Sequence, residues 1–273
     1  MIQSPQVSGL QAEISWDGET WRVQDLNSRN GTFLDGRKLN AGERVMLYEG
    51  AKLAFGERAA SHWVSSVAAP RLIAKSADGV VLYAEAELLC LPSLEDCELT
   101  IYRDGDGAWI VESEDGTRPL EEQETLIAGG RVWDVHAPVT IVDTQESSAI
   151  SASIQLEFVF SRDGEHVTST LHLGTGPIEL KFRSYMLLLA VLARHRVADT
   201  QQSHLPHSEH GWVYCDDLLH EFDIDMRLLN LWIHRARRQL AKLGVLGAGQ
   251  LIERRTGTKQ LRIGVSQLRV RSG

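Results

Sequence analysis

The stretch Asp225–Gly244, DMRLLNLWIHRARRQLAKLG, constrains the chain most. Its apolar residues recur at Met226, Leu229, Ile233, Ala236, Leu240 and Leu243, in alternating steps of three and four. That spacing aligns them as one stripe of a helix, and such a stripe is held against a core. Asp225 suits the N-cap and Gly244 the left-handed stop after the last turn. With about 3.6 residues per turn, Arg227, His234, Arg235, Arg238 and Lys242 gather on the other side, with Asn230 at the margin and Leu231 among them. No acid follows Asp225 in this helix, so the face suits a polyanion.

Downstream, Ile252-Glu253-Arg254-Arg255-Thr256-Gly257-Thr258-Lys259-Gln260-Leu261-Arg262-Ile263 reads as a basic hairpin around a Thr-Gly-Thr turn. A cationic helix followed by a basic hairpin is the plan of a winged helix, in which the helix enters a major groove and the wing touches backbone or minor groove. Leu229–Leu240 resembles the recognition helix of OmpR/PhoB-type winged helix-turn-helix domains, with apolar residues ahead of a paired Arg-x-Arg and a closing Leu. Arg255-Thr256-Gly257-Thr258 resembles that family's wing turn, and Leu180–Ala193 looks like its first helix. The resemblance covers residues 154–268, and it departs from the family at Trp232, Gln239 and Thr258-Lys259. It implies double-stranded DNA as partner. Arg235 and Arg238 are the leading base readers, and Arg227, Asn230 and His234 accompany them. Arg237 matches the family's second Arg but projects toward the core flank, where a phosphate contact or an internal ion pair is expected. Trp232 is expected to pack. Arg254, Arg255, Thr256, Thr258 and Lys259 are the wing's contacts, chiefly to the DNA backbone.

A net charge of −9 conflicts with that partner until its distribution is read. Residues 151–273 hold 16 basic and 12 acidic side chains, residues 1–150 hold 12 and 25, and from Asp225 onward the count is 11 to 2. The positive field thus sits on the helix and wing, and the front half repels nucleic acid. No apolar run reaches membrane-spanning length and no signal peptide opens the chain. Cys90, Cys97 and Cys215 suggest neither a disulfide framework nor a zinc site, and a reducing cytoplasm is expected.

Residues 1–60 alternate in short runs broken by turn residues, an all-β sandwich pattern. The run Asp25-Leu26-Asn27-Ser28-Arg29-Asn30-Gly31-Thr32-Phe33-Leu34-Asp35-Gly36 and the tail Leu47–Gly56 resemble the forkhead-associated (FHA) domain. That resemblance implies a reader of phosphothreonine peptides, with Ser8, Arg29 and Asn30 as the phosphopeptide-binding residues. Gln11 stands near the family's structural His. The family's early Arg has no counterpart here, which implies either a start upstream of Met1 or a degenerate copy that binds proteins without phosphate. By chemistry alone, Asn30-Gly31 is a turn pair and Arg29 a solvated loop charge.

Residues 61–142 are again β-rich. Asp106–Glu112 echoes Asp17–Val23, so the segment is either a second, degenerate FHA-like unit or a completion of the first sandwich. Residues 143–153 read as a linker. His204, His207 and His210 fall in a polar insertion rather than a metal shell, because no Cys or carboxylate pair completes one. No phosphate loop, nucleophile elbow or zinc-protease motif occurs, and neither an enzyme nor a cofactor is expected. The expected protein is a multidomain α+β chain: an FHA-like β-sandwich, a β-rich middle and a C-terminal winged helix. It reads as a bacterial cytoplasmic transcriptional regulator with a protein partner. The alternative is a signalling adaptor that uses both ends for protein contacts.

Overall fold

The computed structural model describes residues 4–17, 19–58, 60–121, 124–138, 154–162, 164, 166–202, 204–245 and 247–273. The expected linker at 143–153 lies outside the described residues. The chain divides into two compact units, Met1–Pro70 and Arg71–Gly273.

The first unit is two small antiparallel sheets. One orders β1 (Ala12–Trp16), β2 (Trp21–Asp25) and β5 (Arg44–Met46). The other orders β4 (Arg37–Lys38), β3 (Thr32–Leu34), β6 (Lys52–Phe55) and β7 (Ser61–Trp63). Val23, Leu34, Leu39, Leu47, Ala51 and Leu53 fill the core. β7 pairs with β6, so this unit runs past residue 60, and the Trp21 indole nitrogen donates to the Ala68 carbonyl at 2.8 Å.

The second unit begins with eight strands in two four-stranded sheets. β8 (Ile73–Ser76) and β9 (Val81–Tyr83) join β14 (Thr125–Ala128) and β15 (Arg131–His136). β10 (Leu88–Pro92), β11 (Cys97–Arg103), β12 (Trp109–Ser113) and β13 (Gly116–Pro119) form a meander. Both sheets bury Leu72, Leu91, Ile101, Val111, Leu126 and Trp133 in one core. Of the echoed stretches, Asp17–Val23 turns into β2 and Asp106–Glu112 turns into β12.

Three further strands, β16 (Gln155–Phe160), β17 (Val167–Leu173) and β18 (Gly176–Leu180), precede α1 (Ser184–Thr200). Then come β19 (Val213–Tyr214), α2 (Cys215–Phe222), α3 (Met226–Lys242), and the hairpin of β20 (Ile252–Arg255) and β21 (Gln260–Ile263). The final strand β22 (Gln267–Ser272) pairs in parallel with β16. Helix α1 is almost wholly apolar along Met186–Ala193 and forms the centre of the core, against Leu229, Ile233, Ala236 and Leu240 of α3. The Asp225 carboxylate caps α3 by accepting from the Leu228 amide at 2.8 Å. Gly244 follows the last turn at φ +83°, a conformation that costs a residue with a Cβ more than glycine.

The cysteine reading needs correction, because Cys90 and Cys97 form a disulfide across the β10–β11 hairpin with their Cα atoms 5.3 Å apart. The strand register slips between Leu91 and Pro92, pairing Pro92 with Cys97. That slip draws the two sulfurs together within the span a disulfide bridges. The argument for a reducing compartment loses its premise. No helix among the described residues is long and apolar enough to cross a membrane.

Candidate functional site

In the first unit, the loop between β2 and β3 is built around one buried carboxylate. Asp25 accepts from the Ser28 amide at 3.0 Å, the Ser28 hydroxyl at 2.6 Å and the Thr32 hydroxyl at 2.7 Å. Burial works against its ionised form, but the Ser28 and Thr32 hydrogen bonds outweigh it and hold the carboxyl below its ordinary range. Gln11 reaches into the same loop, where its amide nitrogen donates to Ser28 Oγ (2.7 Å), the Gly31 carbonyl (3.0 Å) and Thr32 Oγ1 (3.2 Å). Its amide oxygen accepts from the Ser8 backbone at 2.9 Å. Asp25, Ser28 and Thr32 thus hold one another and Gln11, which sets the loop backbone before any ligand arrives.

The three residues implied by the FHA resemblance meet here. Ser8 Oγ accepts from the Arg29 amide at 3.1 Å, which leaves the hydroxyl hydrogen to donate outward. The Arg29 side chain is exposed. Asn30 turns its amide toward Gln6, donating to the backbone carbonyl at 2.8 Å and to Oε1 at 3.1 Å, so its bonds tie the N-terminal turn to the loop. Lys38 escapes the sequence reading: it lies across Gly31, where a Cβ would come 3.0 Å from its ammonium nitrogen. Only the register Phe33↔Lys38, set by the Asp35-Gly36 turn, brings it there.

In the second unit, the side of α3 that carries Asn230, His234 and Arg237 packs on the β10–β13 sheet, while Arg227, Arg235 and Lys242 are exposed. Arg237 is 0% exposed and Glu112 on β12 is 4% exposed. They pair through two hydrogen bonds of 3.0 and 2.7 Å, and Arg237 Nη2 also donates to the Ile252 carbonyl at 2.6 Å. Burial opposes the Arg237 charge, but Glu112 and the Tyr102 ring beneath the guanidinium more than compensate.

Several of the other residues expected to contact DNA are likewise taken up by the protein itself, whereas Arg235 and Thr258 are exposed. Asn230 is shared between the Cys97 carbonyl (3.2 Å) and Arg254 Nη2 (2.9 Å). His234 is buried with Nδ1 at 3.0 Å from Cys90 Sγ. Burial first, then Arg237 and Arg238, push its pKa down to about 4. Arg254 is buried with Nε 3.7 Å from Glu112. Arg238 pairs with Glu85, and Arg227 with Asp96 at 3.1 Å. At the hairpin tip, Lys259 meets Glu114 at 2.9 Å and Thr256 lies against Gly116 and Thr117. Arg255 turns the other way, onto Glu209 at 2.9 Å, and Thr258 stays exposed. Arg235 is exposed, and no ion pair holds it among the described residues. Asp96 and Glu85 thus pair with Arg227 and Arg238 on the face that the helix periodicity assigns to a duplex, while Arg227 and Arg235 remain exposed.

Of the histidines of the expected insertion, His210 and His207 make contacts within the protein. His210 is buried and its Nε2 donates to the Leu205 carbonyl at 2.8 Å, while its ring stacks edge-on to His207.

Compared with known protein families, residues 1–56 match the FHA domain. The match supports a β-sandwich for these residues and a part in phosphopeptide-mediated protein interaction. No curated protein and no solved structure matches the chain.

Proposed function

We propose that this protein is a non-enzymatic signalling adaptor whose FHA-type module docks a phosphothreonine-bearing segment of a protein partner. The observation that carries the reading is a loop already fixed by Asp25 and Gln11, whose Arg29 amide is held by Ser8 Oγ and whose Gly31 lies under Lys38. A hydroxyl donor and two cations around a preset backbone suit a phosphate, which charge-assisted hydrogen bonds recognise. Calorimetric titration of the full chain with phosphothreonine, phosphoserine and unmodified peptides tests it. Tighter binding of the phosphothreonine peptide, weakened by Ser8→Ala and Arg29→Ala, is expected. Equal affinity for the unmodified peptide would sink the phosphate-reading role.

In the same proposal, residues 154–268 are a winged helix-turn-helix of OmpR/PhoB type put to use as a protein scaffold. The burial of Arg237, Arg254 and His234 against the neighbouring strands supports this. Fluorescence anisotropy on duplex DNA across a salt series is expected to give weak binding. Tight, salt-steep binding lost in Arg235→Ala/Arg238→Ala would instead restore the transcriptional regulator. That second reading draws on the rim of the covered face, where Arg227 and Lys259 are more than half exposed and their ion pairs are cheap to open. It requires the strands of residues 71–138 to leave α3 first.

A further inference from the structure

A cleft of about 310 Å³ opens beside α3, lined by Leu82, Glu85, Cys90, Ser93, His234 and Arg238. Cys90, whose sulfur is bonded to Cys97, lines this cleft, and Cys97 does not. His234 Nδ1 stands 3.0 Å from Cys90 Sγ. A disulfide sulfur carries no hydrogen, so in the paired state the ring nitrogen is the donor, which fixes the tautomer of the neutral imidazole. Thr100 Oγ1 lies 3.4 Å from Cys97 Sγ, and it too has only its own hydrogen to offer. Each sulfur therefore has a proton donor aimed at the atom that becomes a thiolate when the bond opens.

We propose that Cys90 and Cys97 form a reversible thiol–disulfide exchange site served by a low-molecular-weight thiol that enters this cleft. The thiolate of the incoming molecule attacks Cys90 Sγ, a mixed disulfide forms, and Cys97 leaves as a thiolate hydrogen-bonded by Thr100. A second molecule of the thiol attacks the outer sulfur of the mixed disulfide. Cys90 then leaves as a thiolate toward His234 Nδ1–H. Two thiols become one external disulfide, and their two protons end on Cys90 and Cys97. The external disulfide drives the reverse reaction. The cleft admits a small molecule, not a folded partner.

The same pair of cysteines holds α3. Along one side of that helix Arg227 pairs with Asp96, Asn230 donates to the Cys97 carbonyl and His234 meets Cys90. Opening the bond frees the loop between the cysteines while leaving its three attachments to α3 in place.

The test is stopped-flow or quenched alkylation of the native full chain in buffers of defined thiol-to-disulfide ratio, with mass spectrometry assigning each cysteine. Cys90 and Cys97 are expected to open and close together and reversibly, while Cys215, fully buried on α2, stays unlabelled. His234→Leu, which removes the donor, is expected to slow exchange on the order of tenfold or more. His234→Asn, which keeps an N–H at the Nδ1 position, restores most of the rate. A pair that reacts only after denaturation would overturn the proposal, and so would exchange at an equal rate in wild type and His234→Leu. The wild-type measurement needs no variant to fold, and neither result depends on whether the FHA-type loops bind phosphate.

Discussion

Arg237 on α3 and Glu112 on β12, 125 residues apart in sequence, face each other as a planar fork against a carboxylate with neither side chain reaching solvent. The pair joins the eight-stranded β-module to the helical part of the same unit. Breaking one side strands a buried charge, whereas replacing both sides removes the need for either. Glu112→Ala is expected to destabilise the second unit by about 3–5 kcal/mol. Glu112→Leu combined with Arg237→Met should recover only part of that loss, because buried Arg254, 3.7 Å from Glu112, is left without its carboxylate. Urea denaturation of the full chain, followed by tryptophan fluorescence and far-ultraviolet circular dichroism, measures both.

Acid should weaken the same contact through His234. Its pKa of about 4 in the folded chain lies below the ordinary 6.5. Between those values the unfolded chain binds the proton and the folded chain does not. Stability from this group is complete above pH 6.5 and is lost as pH falls toward 4. The full loss is of order 3 kcal/mol. His234→Leu should flatten that part of the stability profile, as read from denaturation midpoints at a series of pH values.

Gly249 packs directly beneath Tyr102, where a Cβ would lie 2.2 Å from ring carbon Cδ2. Gly249→Ala should cost about 1–3 kcal/mol, the usual range for an overpacked site. Thermal unfolding checks this, and a variant as stable as wild type would mean that the Tyr102 ring moves freely.

In the first unit, Asp25→Ala removes the acceptor shared by Ser28 and Thr32. A loss of about 1–3 kcal/mol is expected for buried donors left unpaired. Phosphopeptide affinity should fall with it, since the loop that carries Arg29 is no longer held. Calorimetry on the folded variant separates this from Arg29→Ala, which should weaken binding without lowering the melting temperature.

Much of the C-terminal half was legible from residue order. The three-and-four spacing after Asp225 led to α3 with both its ends, because cap chemistry and helical period are local. The Thr-Gly-Thr turn led to the hairpin for the same reason. The loop Asp25–Thr32 was legible as a motif. Gln11 was placed only by its neighbourhood, and its four hydrogen bonds emerge when β1 and β3 are brought together. Lys38 was missed because a lysine on a two-residue strand carries no periodic signal.

By itself the sequence determined the helix at α3 with its cap, the hairpin that follows it and the turns of the Asp25–Gly36 loop, and that most basic side chains of α3 share one side. Those properties follow from periodicity and capping within a few residues. Only the tertiary structure decided what that side touches. Glu85, Asp96 and Glu112 belong to strands and loops more than a hundred residues earlier. Charge complementarity between distant segments leaves no periodic trace in either one. The pairing of Cys90 with Cys97 is of the same kind, since it depends on a slip in strand register that spacing alone does not reveal.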